Sequence, residues 1–518
     1  MKCVTGDEAM KCILDYLEQT AARYPKQLAV DDGDRQWSWE ELLTWSKRTG
    51  SAIAKRVLPH QAVVILEEKS APTLAAMFGV LYAGCFYVMV DPTQPKERID
   101  KILSVMEPAL VIAGSQAQEP AQTLIRERSA RIPGDVCWMQ ALAQTAIDEE
   151  LLGQVRRQIH RDDLLYGVFT SGSTGTPKGI VVSQGAVIDF ISHFTALFGF
   201  SQTDRIGNQA PFDFDVSVKD IYSSVMTGAA LILIPRVMFG TPPVLLDYLC
   251  EKQVTSLTWA VSALTIVSSL GGLRYRVPTT VHRVMFSGEV MPPKQLRLWQ
   301  AALPKALFVN LYGPSEITCN CTYYPVTRAF LDEERLPIGR AFPGRRVFLL
   351  DASDQEITEA EQVGEICVAG ESLAQGYYHN EQETKARFFY RAGASSTPVR
   401  CYRTGDLGYW DADGLLYFCG RKDFQIKHMG HRIELEEVEE AMNRIAGVDS
   451  SCCLLDERRG RLVAFYRASI DSREIRRQLK QTIPGYMVPQ KLVPEERFPL
   501  NKNGKTDRAY FRRRLEVI

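Results

Sequence analysis

The chain has 518 residues, of which 45% are hydrophobic and 24% are charged, and its 61 Lys and Arg residues nearly balance its 62 Asp and Glu residues. A chain of this length is too long for one hydrophobic core, so we expect more than one folding unit. The net charge of -1 provides no overall attraction for nucleic acid or for an anionic membrane surface. No apolar run reaches the roughly 18 residues that a membrane span requires.

The amino terminus and the cysteines both favour a cytoplasmic protein. The first residues, MKCVTGDEAMKCILDYLEQ, include early acidic side chains and no apolar segment long enough for a signal peptide. Only Cys319 with Cys321 and Cys452 with Cys453 are close pairs, and neither has the CxxC spacing of a zinc site. We therefore predict reduced, mostly buried thiols.

Apolar runs alternate with helical patterns through most of the chain. Residues 62–66, 110–113 and 230–234 are short apolar runs typical of buried strands. Between them lie amphipathic stripes at helical spacing, such as Val187, Phe190, Ile191 and Phe194. This alternation predicts an α/β core of layered sheets and helices.

A second, smaller α/β unit is predicted near the carboxyl terminus. Residues 433–445 have the pattern of a helix, 451–455 and 462–466 of strands, and 475–479 of another helix. The acidic residues of the first of these helices are expected to be largely exposed: Glu434, Glu436, Glu437, Glu439 and Glu440. We place the domain boundary at Asp423, giving an amino-terminal domain 1–422 and a carboxyl-terminal domain 423–518.

Residues 170–179, TSGSTGTPKG, have the composition of a phosphate-binding loop. Three glycines allow backbone N–H groups to approach a phosphate, five hydroxyls donate hydrogen bonds, and Lys178 adds positive charge. A Walker A motif is excluded, because Pro177 precedes this lysine and Gly179 follows it. The segment closely resembles the phosphate loop of the adenylate-forming superfamily, which comprises acyl-CoA synthetases, luciferases and the adenylation domains of nonribosomal peptide synthesis.

Further segments resemble motifs of the same superfamily, in the same order and across nearly the whole chain. They are WSWEEL at 37–42, YVMVDP at 87–92, FDVS at 214–217, LYGPSE at 311–316, GEI at 364–366, GY at 376–377, YRTGD at 402–406, GRKDFQIK at 420–427 and NGKTDR at 503–508. The resemblance implies a large adenylate-forming domain and a small mobile domain that turns about a hinge at Asp423.

The resemblance also implies a reaction in two steps. A carboxylate attacks the α-phosphate of ATP and expels pyrophosphate, and a thiol then attacks the acyl-adenylate and expels AMP. Lys505, Glu316 and Arg421 are the implied catalytic residues, with Glu316 holding Mg²⁺. The implied ATP-binding residues are Thr170, Ser171, Gly172, Ser173, Thr174, Gly175, Lys178, Asn310, Tyr312, Ser315, Asp406 and Arg421.

The implied substrate is an amino acid. Asp215 matches the aspartate that pairs with the α-ammonium group in amino-acid-activating members and that acyl-CoA and aryl-acid ligases generally lack. The implied pocket residues are Asp215, Val216, Lys219, Met285, Ser287, Gly288, Leu311 and Cys319. The stretch 258–261 departs from the usual pattern, so its register stays open.

The chain is most similar in its motifs to the D-alanine–carrier-protein ligases of teichoic acid modification. Ser287 replaces a cysteine of that family, and Lys219 replaces an apolar residue. Lys219 is either a solvated helix residue or a buried cation that requires an acidic or hydrogen-bonding substrate side chain. The chain lacks a serine-containing carrier motif, so the implied thiol acceptor is the phosphopantetheine of a separate carrier protein.

Three alternatives stay open at this point. One is a D-alanine–carrier protein ligase of teichoic acid modification, although the differences at Ser287 and Lys219 count against the same substrate. Another is an acyl or aryl acid ligase that transfers its product to coenzyme A. The third is a relative that has lost catalysis and only binds ATP or acts as a scaffold, although Lys178, Glu316, Asp406 and Lys505 are all present.

Overall fold

The computed structural model describes residues 10–114, 135–172, 176–392, 398–423, 425–499 and 506–517. The chain divides into two compact units, one of residues 1–92, 106–168 and 179–420 and the other of residues 93–105, 169–178 and 421–518. The domain limits 1–422 and 423–518 stay a prediction. No helix in the described parts of the chain is long and apolar enough to cross a membrane.

The strands are distributed along the whole chain. In chain order they are β1 (Leu28–Asp31), β2 (Gln36–Ser38), β3 (Ala62–Leu66), β4 (Phe86–Val90), β5 (Leu110–Ala113), β6 (Asp135–Trp138), β7 (Leu164–Thr170), β8 (Lys178–Ser183), β9 (Arg205–Asn208), β10 (Ala230–Leu233), β11 (Ser256–Ala260), β12 (Arg283–Ser287), β13 (Leu307–Tyr312), β14 (Thr322–Pro325), β15 (Arg340–Ala341), β16 (Arg345–Leu350), β17 (Glu356–Ile357), β18 (Gly364–Gly370), β19 (Gly376–Tyr377), β20 (Phe388–Ala392), β21 (Pro398–Trp410), β22 (Leu416–Arg421), β23 (Gln425–His428), β24 (His431–Glu434), β25 (Val448–Asp456), β26 (Arg461–Ala468) and β27 (Lys491–Pro494).

The helices alternate with these strands. They are α1 (Ile13–Arg23), α2 (Trp39–Ala54), α3 (Ala71–Tyr82), α4 (Lys96–Met106), α5 (Met139–Leu142), α6 (Glu149–Arg156), α7 (Gln184–Phe198), α8 (Val216–Thr227), α9 (Pro242–Glu251), α10 (Val261–Ser269), α11 (Gly272–Tyr275), α12 (Pro293–Ala302), α13 (Glu381–Arg387), α14 (Leu435–Asn443), α15 (Ser472–Thr482) and α16 (Arg508–Val517). Short 3₁₀ turns occupy Arg236–Gly240, Ser315–Ile317 and Gly485–Met487.

Two sheets form the core of the first unit. One has nine strands in the order β15-β14-β13-β12-β11-β9-β10-β1-β2, and neighbours from β13 to β1 run parallel. The other has seven strands in the order β19-β8-β7-β4-β3-β5-β6, and neighbours from β7 to β6 run parallel. Both central regions are built from continuous apolar runs such as AVVIL in β3, which is buried on both faces as parallel strands usually are. The predicted layered α/β core is confirmed.

A third sheet of the first unit is antiparallel, with the order β17-β16-β18-β21-β20 and β22 beside β21. The predicted strands 62–66 and 110–113 coincide with β3 and β5, and 230–234 ends one residue later than β10. The predicted helical stripe lies in α7, where Val187, Phe190, Ile191 and Phe194 are all buried. Periodicity therefore identified these elements correctly.

The motif WSWEEL has a local structural role at the start of α2. The Ser38 hydroxyl oxygen accepts a hydrogen bond from the Glu41 N–H, and the Glu41 carboxylate accepts one from the Ser38 N–H. This capping box satisfies two backbone donors that a helix start otherwise leaves without partners. The motif thus fixes where α2 begins.

The carboxyl-terminal part of the second unit has its own core. β25 and β26 are antiparallel, β27 runs parallel to β26, and α14 and α15 contribute Val438, Met442, Ile475 and Leu479 to the buried cluster. The predicted strands and the helix 475–479 correspond to β25, β26 and α15, each longer than predicted.

The prediction of one helix over 433–445 is wrong at its start. Residues 431–434 pair with 425–428 as the hairpin β23-β24, and α14 begins only at Leu435. The predicted exposure is also wrong for Glu434 and Glu437, which are buried. Gln425, the paired residue of the hairpin, donates a hydrogen bond to Glu434, and Arg98 from a distant segment of the second unit forms an ion pair with Glu437.

Candidate active site

The predicted substrate residues lie at the carboxyl ends of adjacent parallel strands. β9 leads through residues 209–215 into α8, β12 ends at Ser287, and β13 is followed by the 3₁₀ turn Ser315–Ile317. Parallel strands present their carboxyl ends at one edge of a sheet, which is where open α/β sheets bind ligands. Sequence positions that are up to about a hundred residues apart are therefore brought to one edge.

Asp215 and Lys219 occupy the first turn of α8. Asp215 precedes the helix, and its side chain makes no capping hydrogen bond, although serine or aspartate at this position usually makes one. Lys219 is four residues further along and therefore lies on the same face. Asp215, Val216 and Lys219 are all buried.

Lys219 is fully buried, which excludes its interpretation as a solvated helix residue. Its side chain is among the largest fully buried ones, with 1% of the residue exposed. The ammonium nitrogen Nζ donates to Asn320 Oδ1 at 2.8 Å and lies 3.5 Å from Ser287 Oγ. Burial lowers the pKa of the Lys219 ammonium, while the nearby carboxyl groups of Asp215 and Asp220 act in the opposite direction.

The segment after β13 is held in an unusual backbone conformation. Thr318 and Cys319 have φ values of 54° and 71°, and the Asn320 N–H donates to the Thr318 carbonyl at 3.0 Å, which forms a γ-turn around Cys319. A side chain at Gly313 would come within 2.5 Å of the Asn320 Cα, so this position of the YGPSE motif requires glycine. The turn places Cys319 and Asn320 beside α8, where the Cys319 thiol donates to the Asp215 carbonyl at 3.2 Å.

Strand interiors supply the remaining predicted pocket residues. Met285 and Leu311 are buried within β12 and β13, and Gly288 follows β12 with a φ of 96°. Asn310 is also within β13, and its amide donates to the Pro337 carbonyl at 2.8 Å. These contacts give Asn310 a structural role in the first unit.

Asp406 and Tyr312 form a buried hydrogen-bonded pair. The Tyr312 hydroxyl donates to Asp406 Oδ2 at 2.6 Å, and burial raises the pKa of Tyr312 well above its usual value, so the phenol stays neutral. The register of β21 shifts against β18 near Gly405, which has a φ of 74°. A bulge of this kind redirects a side chain, and here it aims Asp406 at Tyr312. The TGD motif thus supplies the bulge and the carboxylate together.

Glu316 is fully buried, and its Oε1 accepts a hydrogen bond of 2.7 Å from the Tyr377 hydroxyl. No group of three metal-ligating side chains occurs among the described residues. A single carboxylate suits Mg²⁺, because this ion keeps several waters and takes its other ligands from substrate phosphates. Glu316, adjacent to Ser315 in the same 3₁₀ turn, therefore fits the predicted metal role.

The phosphate loop begins where β7 ends at Thr170. The Ser171 hydroxyl donates to the Arg432 carbonyl at 2.8 Å and accepts from the Glu434 N–H at 3.0 Å. The Gly172 N–H donates to Glu437 Oε2 at 3.2 Å, and a side chain at Gly172 would meet the Thr176 carbonyl at 2.0 Å. Ser173, Thr174 and Gly175 lie outside the described residues, and Lys178 begins β8.

The described residues near the predicted hinge form a tight turn. Arg421 donates to both carboxylate oxygens of Asp423, with Nε–Oδ1 and Nη2–Oδ2 distances of 2.6 and 2.8 Å. The Gln425 N–H also donates to Asp423 Oδ1, at 3.3 Å. Lys505, the predicted catalytic lysine, lies outside the described residues.

The sequence did not indicate the contacts that Asn320, Glu437 and Lys69 make in the structure. Asn320 follows a predicted pocket residue directly, so its position in the motif was the available signal. The Lys69 Nζ donates to Asn208 Oδ1 at 3.0 Å, and Asn208 in turn donates to Asp220 Oδ2 at 3.0 Å. Burial brings the pKa of Lys69 down and that of Asp220 up, each to about 7. No periodicity in the sequence indicates such contacts between distant segments.

Most described cysteines are buried, as predicted: Cys12, Cys85, Cys319, Cys321, Cys367, Cys401, Cys452 and Cys453. Burial raises the pKa of the Cys85 and Cys452 thiols to about 12. Such thiols are unreactive at neutral pH and act as small apolar residues.

Comparison with known proteins decides the family. The sequence profile described as AMP-binding enzyme matches residues 17–378. The chain belongs to the AMP-binding enzyme family. It is 30% identical over 514 residues to the D-alanine–D-alanyl carrier protein ligase of Listeria monocytogenes, covering 96% of this chain and 98% of that protein. It is 31% identical over 502 residues to tyrocidine synthase 3 of Brevibacillus parabrevis, covering 95% of this chain but only 7% of that protein.

A solved structure supports the same assignment. Holo-PA1221, a nonribosomal peptide synthetase protein with adenylation and carrier domains, matches with a TM-score of 0.81 and 25% identity over 97% of this chain and 84% of that one. The predicted AMP-binding α/β fold and ligase class are confirmed. Membership of this family also supports the predicted use of ATP with Mg²⁺.

Proposed function

We propose that this AMP-binding enzyme activates an amino acid as its aminoacyl-AMP and then transfers the aminoacyl group to the phosphopantetheine thiol of a separate carrier protein. The observation that carries the proposal is the buried position of Asp215 at the start of α8, beside the Cys319 turn. The α-ammonium group of an amino acid is a suitable partner for a buried carboxylate. The similarity to a carrier protein ligase along almost its entire length supports the choice of acceptor.

In the first step, an oxygen of the substrate carboxylate forms a bond to the α-phosphorus of ATP while the bond to the pyrophosphate oxygen breaks. Negative charge grows on the phosphoryl oxygens, so positioning and positive charge supply most of the catalysis. We propose that Lys178, Lys505 and Arg421 supply this positive charge. The backbone around Ser171 would bind the β- and γ-phosphates.

Nucleotide orientation is assigned to the residues of the first unit. Asp406 can accept hydrogen bonds from ribose hydroxyls, while Tyr312 keeps its carboxylate in place. Glu316 would hold Mg²⁺, with Ser315 near the α-phosphate, and Mg²⁺ when bound neutralises phosphate charge. The Tyr377 hydroxyl fixes the Glu316 carboxylate for that role.

In the second step, the carrier thiol loses its proton and its sulfur attacks the activated carbonyl carbon. A thioester forms, the acyl–phosphate bond breaks, and AMP leaves. A cytoplasmic location belongs to this proposal, since ATP and phosphopantetheinylated carriers are the required partners.

Presenting the protein with different thiols tests the proposal. With ATP, Mg²⁺ and a labelled amino acid, we expect label on a carrier protein that bears phosphopantetheine and none on the same carrier without it. Coenzyme A in place of the carrier should receive much less label. Efficient formation of acyl-CoA from acids without an α-amine would support the alternative ligase instead.

A further inference from the structure

Lys219 is a buried lysine among the predicted substrate residues of the first unit, four residues after Asp215. We propose that the substrate has a side-chain carboxylate or carboxamide whose oxygen binds the ammonium group of Lys219. This inference rests on the proposed function, because it takes Asp215 as the partner of the substrate's α-ammonium group.

Lys219 has donor capacity that its protein partners do not fill. An ammonium group has three N–H donors, and the described contacts of Lys219 are the Asn320 amide oxygen at 2.8 Å and the Ser287 hydroxyl at 3.5 Å. The second distance exceeds the usual 2.7–3.2 Å range of N–H···O bonds. No carboxylate of a described residue forms an ion pair with Lys219, although the side chain is fully buried.

The nearby groups that could neutralise Lys219 have other roles. Asp215 is assigned to the substrate α-ammonium group. Asp220 accepts a hydrogen bond from Asn208, and burial raises its pKa to about 7, which favours its neutral form in acid. Burial raises the pKa of the Cys319 thiol well above its usual range, so this thiol supplies no anion. An anionic or strongly accepting ligand atom is what the cation lacks.

The spacing of the two charges fits such a substrate. Asp215 and Lys219 are four residues apart on one face of α8, a rise of about 6 Å. A side chain of an amino acid that is bound to Asp215 through its α-ammonium group can therefore reach Lys219. Met285 and Leu311 are buried apolar residues of the neighbouring strands, and Asn320 is the polar group that binds the lysine at 2.8 Å.

The experiment is an amino-acid-dependent ATP–pyrophosphate exchange assay on the full chain. The panel contains the D and L forms of aspartate, glutamate, asparagine and glutamine, together with alanine, leucine and norvaline. We expect the highest kcat/KM for one of the first four side chains, because only these bring an oxygen acceptor to the lysine. This profile of the unmodified enzyme tests the inference even where a variant fails to fold.

Two variants test the role of the lysine directly. Lys219→Met removes the charge at similar volume and should lower kcat/KM for the preferred amino acid by about 100-fold or more, with a relative gain for norvaline and leucine. Asn320→Asp introduces a carboxylate at the 2.8 Å partner of Lys219, which should remove the preference for acidic side chains while neutral ones are still activated. Lys26→Met, the same substitution at an exposed lysine, is the matched control.

The outcomes separate the inference from the proposed function. The inference would be overturned if the unmodified enzyme were most active with alanine, leucine or norvaline and if Lys219→Met left the substrate profile unchanged. Amino acid activation would still hold in that case. Absence of exchange with every amino acid would overturn the proposed function, and the inference with it. The proposal is supported if the unmodified enzyme prefers an amino acid whose side chain has an oxygen acceptor and if both variants lose this preference.

Discussion

Asp215 lies at the amino-terminal end of α8, where the partial positive charge of a helix start favours a carboxylate in its ionised form. The side chain makes no hydrogen bond to the helix N–H groups, so it is not a conventional cap. A buried carboxylate that does not cap the helix is placed to contact a ligand cation.

We therefore expect Asp215→Asn to raise KM for the amino acid by about 100-fold or more, because it removes one partner of a buried charge pair. KM for ATP should change little. Steady-state exchange kinetics with the amino acid that the unmodified enzyme prefers measure the effect, and KM for ATP in the same assay is the internal control. An amino acid KM equal to that of the unmodified enzyme would contradict the role of Asp215.

The contact between α14 and the phosphate loop brings together three segments of the second unit. Glu437 accepts from the Gly172 N–H at 3.2 Å and from Arg98 Nη1 at 3.0 Å. Burial raises the pKa of Glu437, and Arg98 opposes this shift. The Glu437 carboxylate thus binds a backbone N–H donor and an arginine, and both of these groups are suited to bind an anionic phosphate group.

If ATP competes with this carboxylate, Glu437→Gln should tighten ATP binding by up to about tenfold, since a neutral amide is the weaker acceptor. Isothermal titration of the nucleotide in the absence of amino acid measures the dissociation constant. Glu436→Gln, at the exposed neighbouring position, is the control. Unchanged or weaker ATP binding in Glu437→Gln would show that the carboxylate does not compete.

Sequence patterns identified most elements but not the contacts that join distant segments. Apolar runs such as β3 and the stripe of α7 are recognisable because their burial follows from their own periodicity. The burial of Glu437 depends on Arg98, which is 339 residues away in the sequence, so its own helical pattern predicts exposure instead. The resemblance to known motifs indicated Asp215, Tyr312 and Asp406 as site residues. It did not indicate the hydrogen bond between Lys219 and Asn320, because these residues are 101 positions apart in the sequence.

For the whole molecule, the proposed pivot is Asp423. Its carboxylate binds the Arg421 guanidinium and the Gln425 N–H, so it holds the turn that joins β22 to β23. We propose that the carboxyl-terminal domain 423–518 uses this turn to serve adenylation and thioester formation in succession.

Asp423→Pro restricts φ and should therefore reduce the rates of the two steps unequally. Single-turnover assays of adenylate formation and of carrier loading measure the two rates separately. Asp423→Ala is the matched control, because it removes the ion pair with Arg421 and leaves φ unrestricted. Equal losses in the proline variant, or the same pattern in the alanine variant, would place the pivot elsewhere.

Formation of an aminoacyl-adenylate is measured directly by ATP–pyrophosphate exchange over a complete panel of D- and L-amino acids. We expect exchange that requires both ATP and one class of amino acid. We also expect a loss of about 100-fold or more in Lys505→Ala, roughly 3 kcal/mol of transition-state stabilisation, with ATP binding retained. Exchange that no amino acid stimulates, or that Lys505→Ala leaves unchanged, would contradict the proposed adenylation.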